Sequence, residues 1–357
     1  MKTIQKSAFV ASALTSLLVA SSSNVWAAEG FKVRYPSAGT LGAELALFDV
    51  APGLIGSIQV NDTDIRQING NDGNQASLPP SVNAKGVSQT ALVSYQQTNH
   101  VMQFLLGYVT PKNYAGGQIA VAFNLPYAIN ESRSLSFPMV SATTAAGRAT
   151  TPGAAFLAGL NTQAAANDTS TGGFGDADLT VAWGRTMERL KVAAAVSVGL
   201  PTGNFNSTST GAAGNPAINI GAGHFYSIRP SGTVAFRATD DLTLGARVSF
   251  AMNTRDTVDQ WRSGNFVASE LAASYRTPIG VFGPQVVIIN QIQDDSGGLS
   301  GNCAGCYGAN RYQSVGAGLF FATKIKGWAL NLGYMNTFKA SNTFLSSTVV
   351  ARASREF

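Results

Sequence analysis

Apolar residues recur at every second position over long stretches of this chain, a period that suits strands and not helices. In Leu242-Thr243-Leu244-Gly245-Ala246-Arg247-Val248-Ser249-Phe250-Ala251-Met252, each alternate residue is apolar and the others are small or polar. Ile119, Val121, Phe123, Leu125 and Tyr127 alternate with Gln118, Ala120, Ala122, Asn124 and Pro126. Leu190, Val192, Ala194, Val196 and Val198 alternate with Lys191, Ala193, Ala195, Ser197 and Gly199. Successive side chains of a strand point to opposite faces, so each segment has one greasy face and one polar or small face.

Twelve segments follow this pattern: 53–66, 99–110, 117–127, 176–186, 190–200, 224–237, 241–252, 265–276, 282–294, 312–323, 327–338 and 346–357. Residues 88–98 either extend the second segment or form a strand of their own, so 14 strands is the alternative. The connections after segments 2, 4, 6, 8 and 10 are short: Pro111–Gly116, Thr186–Arg189, Thr239–Asp240, Thr277–Val281 and Lys324–Lys326. Those after segments 1, 3, 5, 7, 9 and 11 are mostly long and rich in Gly, Ser, Asn and Asp. Short periplasmic turns alternating with longer outer loops mark an outer-membrane barrel. The expected fold is all-β, a transmembrane antiparallel β-barrel with both termini periplasmic. A soluble β-sandwich would not require this alternation.

Aromatic placement agrees. Trp328, Leu330, Leu332, Tyr334 and Phe338 share a face, with aromatics towards both ends. At ~3.3 Å per residue and ~45° tilt this stretch spans about 23 Å, close to the ~25 Å apolar band of such barrels. Charged residues make up 12% of the chain, against about 25% in ordinary globular proteins. A chain poor in charge but rich in Gly, Ala, Ser, Thr and Asn suits lipid on one side and a wet lumen on the other. The net charge of +5 comes with no Lys/Arg run, which argues against nucleic-acid binding.

The N-terminus reads as a secretory signal. Lys2 and Lys6 precede the uncharged stretch Ala8–Ala20, and Val25 and Ala27 supply the small residues of a cleavage site after Ala27. The alternative is a membrane anchor, for which this run is short. The expected organisation is a signal peptide at 1–27, a periplasmic or lumen-plug segment at 28–52 containing Leu41, Leu45, Leu47 and Phe48, and the barrel at 53–357. Phe357 ends the chain, as barrels inserted by the assembly machinery commonly end, although Arg355 stands where an apolar residue is usual.

Short motifs occur in a set order: Asn71-Asp72-Gly73-Asn74 before Pro79-Pro80, Tyr108-Val109-Thr110-Pro111, Gly116-Gly117, Phe174-Gly175-Asp176-Ala177-Asp178, Leu200-Pro201-Thr202-Gly203-Asn204-Phe205, Ser263-Gly264, Gln291-Ile292-Gln293-Asp294 and the terminal Phe357. In this order they resemble the outer-membrane transporter family of the meta-pathway of phenol degradation, similar in role to fatty-acid and aromatic-hydrocarbon uptake barrels. The resemblance runs over nearly the whole chain after the signal and implies an outer-membrane location and a small apolar solute. The 128–175 insertion and the cysteine pair are atypical of it.

No enzyme signature is present: there is no Gly-x-Ser-x-Gly elbow and no His-Glu-x-x-His. Gly173-Phe174-Gly175 lacks the third glycine of a dinucleotide loop. His224 and Ser227 stand three apart in a strand and so on opposite faces. Cys303-Ala304-Gly305-Cys306 reads as a disulfide in an exported protein. A redox or metal role would need a helix N-terminus or ligands drawn from rim positions. No cofactor and no metal are expected.

The polar faces carry Asp178, Lys191, Arg229, Arg237, Arg247, Glu270, Arg276, Gln291 and Gln293. These are the lumen candidates, because charge on the lipid face is costly. They form either a polar solute path or a structural network filling a narrow barrel. The apolar stretch Ala154–Leu160, or residues 41–48, either lines a constriction or, for the former, packs against loop tips or a neighbouring subunit. The expected function is a channel for small hydrophobic or aromatic compounds. The alternative is a structural or surface-interaction barrel acting through its loops. Expected partners are membrane lipid, the barrel assembly machinery and small apolar solutes, with the oligomeric state open.

Overall fold

The computed structural model describes residues 40–46, 52–78, 80–167, 169–203, 223–258, 260–297 and 311–357. The expected signal segment 1–27, Leu47 and Phe48, and Cys303 and Cys306 lie outside the described residues.

Twelve long strands build the molecule: β1 Gly53–Asn69, β2 Ser94–Val109, β3 Gln118–Ser136, β4 Asp178–Met187, β5 Leu190–Gly199, β6 Ser227–Arg237, β7 Leu242–Asn253, β8 Phe266–Thr277, β9 Gly280–Gln291, β10 Gln313–Ile325, β11 Trp328–Ser341 and β12 Thr343–Glu356. Each pairs antiparallel with its neighbours in sequence, and β1 also pairs with β12, which closes the barrel. Closure leaves no free edge among the twelve. Every expected segment falls on one of these strands. Residues 88–98 divide: Ser88–Ala91 enters a small separate sheet and Ser94 begins β2, so the barrel has twelve strands and not 14.

Short hairpins join the strands at one end. Lys326 and Gly327 both take positive φ (49° and 80°), the backbone that a two-residue type I′ turn requires. Most connections at the other end are long. The exception is the link between β11 and β12, which is Asn342 alone, because these two strands run further than their alternation suggests. β4 and β5 are short by comparison. A further strand, Thr169–Phe174, takes over as the partner of β3 beyond Asn124.

Outward faces are apolar. Leu54, Ile58 and Val60 on β1, Leu244 and Val248 on β7, and Trp328, Leu330, Leu332 and Tyr334 on β11 are all exposed large apolar residues. Rings cluster at both ends of this belt. Tyr275 and Phe282 meet edge-on at 6.0 Å near the hairpin end, and Tyr127 and Phe174 at 5.0 Å near the loop end. Arg355 lies over the rings of Trp328 and Phe357 at 5.5 and 5.6 Å, and the Phe357 amide donates to the Leu54 carbonyl at 2.8 Å. Arg355 therefore keeps its charge at the rim while its position in the strand faces outward. No described helix is long and apolar enough to cross a membrane.

The long loops form a layer over the barrel. Ser81–Val82, Ser88–Ala91, Val140–Thr143 and Ala149–Thr150 make a four-stranded sheet. Ile65, Ile68, Ala76, Leu78, Ala91, Val93 and Tyr95 pack with Phe156 and Leu160 into a core. The apolar stretch at 154–160 is the start of a helix, Ala154–Asn167, and its buried stripe packs into this loop core.

Candidate functional site: the occupied lumen

A second helix, α1 Leu41–Ala46, lies inside the barrel. Six residues cannot hold a helix in water unaided, so its order comes from what it touches. Leu41 and Leu45 pack against the inward-facing Ala235 and Ala272. A Cβ on Gly42 would collide with the Phe320 ring, and one on Gly245 would lie 2.6 Å from Leu45 Cδ1. Glycine at 42 and 245 is thus what allows helix and wall to touch. Thr40 donates its hydroxyl to Glu44 Oε1 at 2.6 Å, and Glu44 places an acid in the helix's first turn, where the dipole favours it.

Charge fixes the helix to the wall. Arg247 Nε donates to Glu270 Oε1 at 2.9 Å and its Nη2 to the same oxygen at 2.6 Å. Its Nη1 reaches Glu44 Oε2 at 2.7 Å and its Nη2 the Thr40 hydroxyl at 2.9 Å. Arg247 and Glu270 are directly opposed on β7 and β8. Enclosure pushes the Glu44 carboxyl up, but the Arg247 and Arg352 guanidiniums and the Thr40 hydroxyl outweigh it and hold it below its ordinary value of 4.5.

The wall formed by β11, β12, β1 and β2 is polar. Gln59 Nε2 donates to Asn61 Oδ1 at 2.8 Å and to Gln103 Oε1 at 3.4 Å, and the Thr63 and Thr348 hydroxyls lie 3.0 Å apart. Asn331 and Gln59 flank Arg352 in register. Further towards the loops Gln97 Nε2 donates to Glu131 Oε1 at 2.7 Å.

Of the nine lumen candidates, Asp178, Arg229, Lys191, Arg247, Glu270 and Gln291 lie on inward faces within the wall. Arg229 pairs with Asp178, and Gln291 donates to Gln293 O and Asp295 Oδ1 at 2.9 and 2.6 Å. Arg237 stands half-buried at the end of β6, and Arg276 is exposed near the end of β8. Gln293 lies beyond β9 and is exposed. His224 precedes β6 rather than sitting within it, its amide donating to Asp256 Oδ2 at 2.7 Å. His100 is on an outward face against Asp62 at 3.2 Å. No group of three His, Cys, Asp or Glu among the described residues is placed to hold a metal.

Sequence reasoning missed Glu44, Arg352, Asn331 and Gln59. The signal was present for Arg352: Val349 and Ala351 define one face of β12, so Arg352 must take the other. Glu44 lay inside a run of apolar residues whose destination the sequence does not state.

The sequence matches the family described as "Putative MetA-pathway of phenol degradation" over residues 106–353. No curated protein sequence matches. Among solved structures, an outer membrane channel from Pseudomonas putida F1 is similar with a TM-score of 0.62 at 14% identity, over 86% of this chain and 96% of that one. The β domain of the Bordetella autotransporter BrkA gives a TM-score of 0.46 at 10% identity, over 86% and 100%. The first shows a shared barrel fold.

Proposed function

The chain belongs to the family of the MetA-pathway of phenol degradation, and from that premise we propose that it is an outer-membrane channel for small hydrophobic or aromatic compounds. The observation that carries this is the two-sidedness of one closed sheet: an apolar outer belt bounded by rings, around a lumen that is polar and partly filled by α1. A belt of that kind is stable in lipid, and a wet interior gives a solute a way through. A twelve-stranded barrel is wider than the eight-stranded ones that side chains fill and narrower than open 16-stranded porins. With α1 against β7, β8, β9 and β10, the solute path in this reading follows the polar wall of β11, β12, β1 and β2.

In this reading the N-terminal 1–27 is a signal peptide, the hairpin end and both termini are periplasmic, and residues 28–52 act as a lumen plug that includes α1. The lumen-facing side chains set selectivity, and the protein's role is transport and not catalysis. Its partners are lipid, the assembly machinery and the solute.

The test is uptake of labelled toluene and phenol by cells with and without the protein. Faster uptake with the protein supports the channel. Unchanged uptake across several apolar solutes removes it and favours a surface-interaction role for the loop layer.

A further inference from the structure

The four charges at the level of α1 are not evenly satisfied. Arg247 donates to two carboxylates directly. Arg352 also bears electrostatically on Glu44, and its enclosed Nε has no hydrogen-bond partner among the described residues. Asn331 stands directly opposite it on β11 and is 9% exposed. Its Nδ2 is likewise enclosed and unpartnered. Opposed residues on neighbouring strands bring their Cβ atoms to about 5 Å, so these two donors face one region of the lumen. An enclosed donor without an acceptor costs about 1–3 kcal/mol, more when charged. Gln59, the neighbour of Arg352 on β1, does not answer either one: its Nε2 donates to Asn61 and Gln103, and its Oε1 accepts from neither enclosed donor.

We propose that Arg352 and Asn331 form an oxyanion-binding subsite in the lumen, and that the solute carried past α1 is an aromatic compound bearing a carboxylate. This rests on the channel reading above and narrows its substrate class. The chemistry follows from the donor set. A guanidinium N–H beside an amide N–H offers two hydrogen bonds to one anionic oxygen pair, and a charge-assisted bond is about twice as strong as a neutral one. A neutral hydrocarbon would leave both donors unanswered and so gains nothing from them. Glu44 is the internal competitor for Arg352: its carboxylate is paired with Arg247 but lies within electrostatic reach of Arg352, so it offsets part of the attraction that Arg352 exerts on an incoming carboxylate. Arg352 is thus a specificity-determining residue and Glu44 a positioning one.

The experiment is a ligand-observed NMR titration of the full-length, detergent-solubilised protein with benzoate, benzyl alcohol and acetate, each variant first shown to be folded by heat-modifiable gel mobility. The readout is the ratio of affinities. In the wild type benzoate is expected to bind at least tenfold more tightly than benzyl alcohol, and acetate more weakly than benzoate. Arg352→Gln should collapse the benzoate-to-benzyl-alcohol ratio towards one, Asn331→Ala should lower it severalfold, and Arg352→Lys should retain part of it. Glu44→Gln should strengthen benzoate binding about threefold, an effect that a purely structural role for Arg352 would not give. A wild-type ratio near one, or a ratio that Arg352→Gln leaves intact, overturns the subsite while benzyl alcohol binding keeps the channel reading. Acetate binding as tightly as benzoate overturns the aromatic class. Binding of none of the three counts against the channel reading itself.

Discussion

Arg247 on β7 and Glu270 on β8 are directly opposed and meet at 2.6 Å inside the barrel, with the glutamate side chain 3% exposed. Removing one partner of such a pair leaves a buried charge uncompensated, at a cost of about 3–5 kcal/mol. Arg247→Gln should therefore lower the unfolding midpoint in urea markedly. The double variant Arg247→Gln/Glu270→Gln should recover at least half of the loss, because neither group is then left charged and alone. A double variant worse than the single one would mean that the pair is not the main interaction of either residue.

Val248 is the adjacent residue and faces outward, 53% exposed in the apolar belt. A cation there meets lipid, at about 2–4 kcal/mol near the middle of a bilayer. Val248→Arg should impair assembly, seen as loss of the heat-modifiable form, far more than Val248→Ala, which keeps the lipid face apolar. Equal effects would argue against this face being the lipid face.

The alternation around Val248 shows why so much of the barrel was legible. A strand's two faces see different solvents, so Arg247 and Val248 declare opposite sides by chemistry alone, and the short hairpins such as Lys326–Gly327 declare where strands turn back. Loops carry no such period. Nothing in Ala154–Leu160 says whether it enters the lumen or packs over it. That is decided by Ile68, Tyr95 and Phe344, which lie elsewhere in sequence and meet only after closure. Glu44 was hidden for the same reason, its partners Arg247 and Arg352 being roughly 200 and 300 residues away.

Phe156 is 1% exposed in the loop core with Ile68, Leu78 and Tyr95. Phe156→Ala removes most of a buried ring, at about 3–5 kcal/mol. That core belongs to the loop layer, whereas the barrel is held by its own closed ladder. The expected result is faster proteolysis within 140–167 with heat-modifiable mobility retained. Loss of the folded barrel would show that the layer is needed for closure.

Cys303 and Cys306 lie outside the described residues, and their pairing rests on compartment: thiols in an exported chain oxidise. Mass spectrometry of the unreduced protein should find the peptide lighter by two hydrogens. Two thiols freely alkylated on intact cells would refute the bond.

Glu44 makes the seating of α1 dependent on pH in a definite direction. Its carboxylate accepts from Arg247 at 2.7 Å and from Thr40 at 2.6 Å, with Arg352 also bearing on it. These partners favour the ionised form and hold its pKa below 4.5. A group with a depressed pKa in the seated state stabilises that state fully above its free value. The stabilisation is lost as pH falls through the seated value. Conductance in planar bilayers should therefore stay level from neutral pH down to 4.5 and rise only below it, as protonation frees α1 from Arg247. Glu44→Gln should abolish that acid-dependent rise. A rise that begins well above 4.5, or one that persists unchanged in Glu44→Gln, would place the titrating group elsewhere in the lumen and leave the Arg247–Glu44 contact without a gating role.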